Sequence, residues 1–387
     1  MRNRCPLGFK TQLEDFITLY EKNLSTVSEI ILSQAPGRIC LFGDHQDYLE
    51  LPIIACAIDR RLDIKATPNG TNEFLIQMLD LNQKETIALD STTAVIEKGD
   101  FLRTALKVLR RFGCIPTQGY DIGIQGNIPI NAGLSSSTAL TIAWIHFLIE
   151  AFGTATAITA SWIAQRAYET EVLEQGSSGG SMDQYAIAVG KMIHLNTANN
   201  SFVRIAKPIG QLVVGVSGIA KDTFGTLAYL KDHALKAIAQ VKKVFPEFEI
   251  AEAKSIDLHR YLNCVDYELK AVFTAAVINH SITKQAKIEL DKSNPDPIVL
   301  GDLMNQHHEQ LRLNLKISPP KIDAIIEAVL EAGACGAKIV GSGGGGCIVA
   351  MTNKNNTEEL IYAMKKAGAI DAFEVTQSNG SSVNTSA

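Results

Sequence analysis

What this chain lacks narrows it first. Its seven cysteines, Cys5, Cys40, Cys56, Cys114, Cys264, Cys335 and Cys347, are odd in number, widely scattered and nowhere paired as CxxC. That pattern argues against a disulfide framework and for reduced, cytoplasmic surroundings. Basic charge is also short. The 36 Lys and Arg are outnumbered by 41 Asp and Glu, and both signs are interspersed, so no basic face offers itself to nucleic acid. The most membrane-like run, Ala139 to Phe152, is interrupted by His146 and Glu150 and falls below the ~20 apolar residues of a span. It reads as a buried helix, and no membrane partner is expected. The opening MRNRCPLGFKTQLEDF has basic residues with no continuous apolar segment behind them, so no secretory signal is expected. There is no internal repeat and no GxxxxGK[ST] loop.

What is present is a core-forming chain of 387 residues, 46% hydrophobic and 20% charged, long enough for two domains. The expected division is residues 1–207, residues 208–375 and a frayed tail at 376–387, with the boundary near Pro208. In the first part the patterns predict a helix over Leu13 to Asn23, a strand from Glu29 to Ile39 broken at Pro36 and Gly37, and a strand over Pro52 to Ala66. A helix over Asp100 to Phe112, a strand over Tyr120 to Ile128, a helix over Ser161 to Glu174 and a strand over Ile187 to Leu195 follow. After a strand at Gln211 to Ser217, helices are expected at Thr226 to Phe245, Ile256 to Lys284, Asp296 to Leu313, Pro319 to Gly333 and Thr357 to Ala367. The run GAKIVGSGGGGCIVAM at 336–351 reads as strand, loop, strand.

The run GNIPINAGLSSSTAL at 126–140 sets a glycine and three serines where a strand and turn give way to an apolar helix. Ser135, Ser136 and Ser137 can cap that helix. Equally, Gly133, Leu134 and the serines can offer backbone amides and hydroxyls to a phosphate, favoured by the helix dipole. The turn alone leaves both readings open. Two distant segments also look like ligand-handling loops: APGRICLFGDHQDYL at 35–49, with Arg38, Asp44, His45, Asp47 and Tyr48, and GSGGGG at 341–346. Carboxylates and an imidazole suit a polyhydroxylated ligand, whose buried hydroxyls must keep their hydrogen bonds.

In this order the three segments resemble the three motifs of the kinases of galactose, homoserine, mevalonate and phosphomevalonate, the GHMP superfamily, from about Ser33 to Ala350. The first segment is most similar to galactokinases, with Pro36, Gly37, Arg38, Gly43, Asp44, His45, Asp47 and Tyr48 in place. Gly180 and Met182-Asp183-Gln184 resemble the galactokinase loop that carries the catalytic aspartate. The resemblance implies an α+β chain of two domains, the first like the second domain of ribosomal protein S5 and the second ferredoxin-like, with the site between them.

It also implies the chemistry. Asp183 would be the base and Arg38 would sit near the γ-phosphate; Arg38, Asp44, His45, Asp47, Gly180, Asp183 and Tyr229 would contact the sugar. Gly133 to Ser137, with Gly343 and Gly344, would hold ATP, and Ser137 and Glu171 would hold Mg²⁺. The expected reaction is phosphorylation of the anomeric hydroxyl of galactose or a related sugar or uronic acid.

The chain departs from the galactokinase pattern in four places. Asp44 stands for glutamate, Cys40 for asparagine, Leu49 to Leu51 for an asparagine and glycines, and Tyr229 is followed by Leu230, Lys231 and Asp232 in place of paired arginines. A mevalonate-type kinase shares the ICLFGDH run but has lysine at the Arg38 position and lacks the equivalents of Asp47 and Tyr48. A non-catalytic sugar sensor is the other alternative; such proteins lose residues after the serines, where Thr138 and Ala139 are present.

Overall fold

The computed structural model describes residues 29–89, 96–207, 209–220 and 223–386. The expected helix at 13–23 and the boundary at Pro208 lie outside the described residues. In chain order the strands are β1 (Ile30–Phe42), β2 (Ile53–Pro68), β3 (Glu73–Met78), β4 (Gln83–Ala88), β5 (Tyr120–Gly126), β6 (Met192–Asn196), β7 (Ser201–Ile205), β8 (Gln211–Val216), β9 (Gly336–Ile339), β10 (Cys347–Thr352), β11 (Asp371–Val375) and β12 (Ser382–Ser386). The helices are α1 (Phe101–Arg110), α2 (Ser136–Phe152), α3 (Ala160–Tyr168), α4 (Met182–Val189), α5 (Thr223–Val244), α6 (Leu258–Leu262), α7 (Lys270–Asp291), α8 (Pro297–Glu309), α9 (Pro320–Glu331) and α10 (Thr357–Lys366).

Two sheets organise these elements. The first has the order β12-β1-β2-β5-β3-β4, with β6 joined to β2 and β7 to β6; β3 and β5 are parallel and the other pairs antiparallel. The second, β11-β8-β10-β9, is antiparallel throughout. Helix α2 is largely apolar, and its middle, from Thr138 to Leu148, is mostly buried. Trp144 on α2 meets Phe74 of β3 edge-to-face at 5.5 Å, and its indole N–H donates to the Leu102 carbonyl at 3.1 Å. This packing fixes the serine turn at the head of α2.

Several expectations are corrected. Strand β1 is not broken at Pro36 and Gly37: it carries a register shift there, the place in a sheet where a residue without an N–H is tolerated. Residues 187–189 belong to α4, not to a strand; every residue of this helix but Asp183 is buried, and β6 begins only at Met192. The predicted helix over 256–284 divides into α6 and α7, separated by a short turn at Tyr267–Leu269. Strands β3, β4, β7 and β11 were not anticipated. The tail is not frayed: β12 pairs with Ile30–Gln34 of β1, covering what would otherwise be an open sheet edge. The last described strand thus lies in the first sheet, and Ser378 ties the segment before it by donating its amide to Ala57 O at 2.9 Å while its carbonyl accepts from Lys191 N at 2.6 Å. No helix among the described residues is long and apolar enough to cross a membrane, and no disulfide joins the described cysteines.

Candidate active site

A cleft of about 240 Å³ gathers residues from both sheets' connections: Arg38, Asp44, His45 and Asp47, the serine turn, Glu171, Gly180, Asp183 and Gln184, with Gly341 and Ser342 from the glycine loop. At its centre Arg38, at the site of the β1 register shift, meets Asp183 in the first turn of α4. Arg38 Nε donates to Oδ1 and Nη2 to Oδ2, each at 2.7 Å, and Nη1 donates to the Gly133 carbonyl at 2.5 Å. The guanidinium is almost fully buried while Asp183 keeps 27% of its side-chain surface open. The buried partner therefore fixes an accessible carboxylate, in the bidentate geometry that arginine supplies best.

The serine turn is not the side-chain cap that its composition allowed. Ser135 is left-handed (φ 60°), makes no side-chain cap and gives its hydroxyl to Asp183 Oδ2. Asn131 (φ 54°) and Gly133 (φ 87°) are left-handed as well. Such strain in non-glycine residues is concentrated at ligand sites, and turns of this kind point successive amides into one anion-binding concavity. Ser136 and Ser137 line the cleft at the start of the 17-residue α2. Leu134 does not line it: its side chain is core and its carbonyl accepts from Arg38 N at 3.1 Å.

Glu171 sits in a π-helical turn, Glu169–Leu173, that continues α3, an irregularity found often at functional positions. Its carboxylate accepts from Thr138 Oγ1 at 2.9 Å, Thr141 Oγ1 at 3.0 Å and Gln184 Nε2 at 2.6 Å. Burial raises its pKa, the three hydrogen bonds only partly offset this, and the result is about 7. A buried carboxylate held only by neutral donors lacks a counter-charge. Among the described residues no three His, Cys, Asp or Glu side chains cluster as a complete metal cage. The hard oxygen set of Glu171 with the Ser136 and Ser137 hydroxyls does suit Mg²⁺, which takes few protein ligands and completes its shell with phosphate and water.

Asp47 lies across the cleft. Burial and then the charge of Asp183 raise its pKa, to about 6, against hydrogen bonds from the Tyr48 and Met182 amides. Gly180 makes this approach possible, because a Cβ there would lie 2.4 Å from Asp47 Cγ. Asp44 faces elsewhere than expected. Both its oxygens are engaged, Oδ2 by Lys338 Nζ and Oδ1 by Gly341 N, each at 2.6 Å. Burial would raise its pKa, but the Lys338 charge and the hydrogen bonds outweigh that and hold it at about 2. His45, left-handed at φ 62°, bridges Tyr48 Oη and the Ser342 carbonyl, both at 3.1 Å.

Two further expectations fail. Gly343 and Gly344 are absent from the cleft lining; Gly344 N donates to Ile317 O at 2.7 Å, and a Cβ on Gly343 would strike Ile317. Tyr229 is 57% exposed on α5 and stacks on His233, one turn along, outside the cleft. Thr141, Gln184, Asn131 and Lys338 were missed as site residues. Lys338 alone carried a signal, a lysine inside an otherwise apolar strand.

The serine turn thus faces a clasped aspartate in a cleft that residues of both α/β units line. Residues 100–191 match the GHMP kinases N terminal domain, 289–370 the GHMP kinases C terminal family, and 15–68 the galactokinase galactose-binding signature. The chain belongs to the GHMP kinases, a family that uses ATP, and it is galactokinase-like. Among solved structures, Lactococcus lactis galactokinase complexed with galactose superposes with a TM-score of 0.84 at 20% identity, covering 96% of this chain and 99% of that one. Methanococcus jannaschii mevalonate kinase gives 0.66 at 23% identity, with 90% and 98% covered. Mevalonate kinase of L. major in complex with R-mevalonate gives 0.62 at 21%, with 90% and 96% covered. These likenesses bear out the two-domain α+β fold expected from the motifs.

Proposed function

We propose that this chain is an ATP-dependent sugar kinase that transfers the γ-phosphoryl group to the anomeric hydroxyl of a neutral monosaccharide, galactose or a close relative, giving the sugar 1-phosphate. The observation that carries this reading is the Arg38–Asp183 clasp beside the serine turn, with Asp47 opposite. Among the described lining residues, Asp183 is paired with Arg38 and Asp44 with Lys338, so Asp47 and Glu171 add negative charge that neither cation offsets. A carboxylate acceptor such as mevalonate or a uronic acid would meet repulsion there; sugar hydroxyls would donate to the acids. This favours a neutral sugar over both.

In the proposed reaction Asp183 accepts a hydrogen bond from the acceptor hydroxyl and takes its proton as the new oxygen–phosphorus bond forms and the β–γ bridging bond breaks, releasing ADP. Arg38 fixes that carboxylate in orientation, and Ser135 holds it from the phosphate side. Phosphoryl transfer rests mainly on alignment and charge neutralisation, so a firmly held acceptor matters more than a strong base. The amides of Gly133 and of the first turn of α2 would bind phosphate oxygens. Glu171, Ser136 and Ser137 would hold Mg²⁺, which supplies positive charge to the transferred group. Asp47 would orient a ring hydroxyl.

The test is ADP release by purified protein with Mg-ATP across galactose, related hexoses, galacturonate and mevalonate. Turnover with a neutral hexose supports the reading. Turnover with mevalonate or galacturonate alone rejects it, and thermal stabilisation by a sugar without turnover identifies a sensor instead.

A further inference from the structure

Lys338 and Asp44 form an ion pair with no exposed side-chain surface, across 294 residues of chain. Lys338 belongs to β9 of the second sheet; Asp44 follows β1 of the first. All three ammonium donors are used: Asp44 Oδ2 at 2.6 Å, Cys40 O at 3.1 Å and Ile339 O at 2.7 Å. The other Asp44 oxygen takes Gly341 N at 2.6 Å, and next to it His45 reaches the Ser342 carbonyl. The same turn then sends Tyr48, Leu49 and Leu51 into the apolar core of the second domain with Phe273, Leu311 and Ile317, which gives the leucines at 49 and 51 a physical role. A buried ion pair adds little net stability against an apolar replacement, and its best-attested use is fixing one register between packed elements.

We propose that the Lys338–Asp44 pair is an interdomain latch, which holds the acceptor-side turn carrying His45 and Asp47 against the glycine loop at Gly341 and Ser342 and makes Lys338 a positioning residue for the reaction proposed above. Lys338 is absent from the cleft lining, so it acts through the residues it holds. The proposal rests on the kinase reading only for its kinetic effect; the latch itself has a readout that needs no substrate.

The experiment compares Lys338→Met, Asp44→Asn and the double variant with the unaltered full chain. Kinetic constants for the acceptor, ATP binding by calorimetry and amide hydrogen exchange are measured on each. The latch predicts that both single variants lower kcat/KM for the acceptor at least 30-fold and that the double variant is no worse than the more impaired single one. ATP affinity stays within 3-fold, and exchange at 341–342 and 43–48 quickens at least 10-fold. Asp44→Asn impaired with Lys338→Met near the unaltered values would overturn the latch in favour of direct sugar contact by Asp44. Unchanged exchange in Lys338→Met would overturn it without reference to any substrate. Should a single variant not fold, Asp44→Leu/Lys338→Met replaces the pair by apolar side chains, and a folded double with unaltered kinetics and exchange overturns the proposal. An inactive unaltered chain would reject the kinase reading and leave the exchange result to decide on the latch.

Discussion

Arg38 and Asp183 meet through two parallel 2.7 Å hydrogen bonds, although 145 residues separate them in the chain. The clasp joins strand β1 to the head of α4, and every other proposed catalytic part is arranged around it. Asp183→Asn keeps the side-chain shape but removes the proton acceptor and half of the clasp. Turnover should fall at least ~10³-fold, the scale of a lost catalytic acid–base group with its electrostatic partner. ATP binding by calorimetry should stay within a few-fold, and turnover within 10-fold of the unaltered chain would remove Asp183 from the mechanism.

Ser135 separates a backbone role from a hydroxyl role. Its φ of 60° favours glycine over alanine by roughly 1–2 kcal/mol. Ser135→Gly should therefore keep or slightly raise the melting temperature and still lose activity, because the bond to Asp183 is gone. Ser135→Ala should lose both. Equal melting temperatures for the two variants would show that the left-handed turn is not strained.

Gly180→Ala brings a Cβ to within 2.4 Å of Asp47 Cγ, a separation that forces one of them aside. The acceptor KM should rise about tenfold or more, about 1.4 kcal/mol of binding, while the KM for ATP changes little. A rise in the ATP KM alone would place Asp47 on the wrong side of the cleft.

The raised pKa of Glu171 makes a signed prediction. Its folded-state pKa of about 7 lies above the ordinary carboxylate value of 4.5, so the folded chain binds the extra proton. In the absence of metal, stability should fall as pH rises from about 4.5 through 7. Thermal unfolding of the metal-free protein at a series of pH values, with Glu171→Gln as reference, should show this slope in the unaltered chain only. Mg²⁺ binding should strengthen over the same range and release a proton. A parallel pH dependence in the two proteins would contradict the account.

Much of the site was legible because local chemistry carried it. The glycine and serines of 133–137, the acids of 44–47 and the aspartate of 183 each needed a particular residue type at a particular spacing, and all three groups line one cleft. What was illegible depended on partners distant in sequence. Asp44 read as a sugar acceptor until Lys338 and Gly341 claimed both its oxygens, and no pattern local to GDHQDY could announce a lysine 294 residues away. The tail beyond Thr376 is polar and looked disordered; pairing with the β1 edge, a tertiary fact, makes it a strand. Residues 187–189 are a short apolar run that suits a buried strand or a buried helix, and they continue the helix α4. Tyr229 has only the resemblance behind it, lacks the paired arginines after it, and is absent from the cleft lining.

The central claim is the transfer of phosphate from ATP to the anomeric oxygen of a neutral sugar. Phosphorus NMR of the product formed from Mg-ATP and each sugar of the panel tests it most directly. The account predicts stoichiometric ADP together with a phosphate coupled to the anomeric proton of a neutral hexose, lost in Asp183→Asn. A phosphate on any other carbon, or a product formed only from mevalonate or a uronic acid, would contradict it.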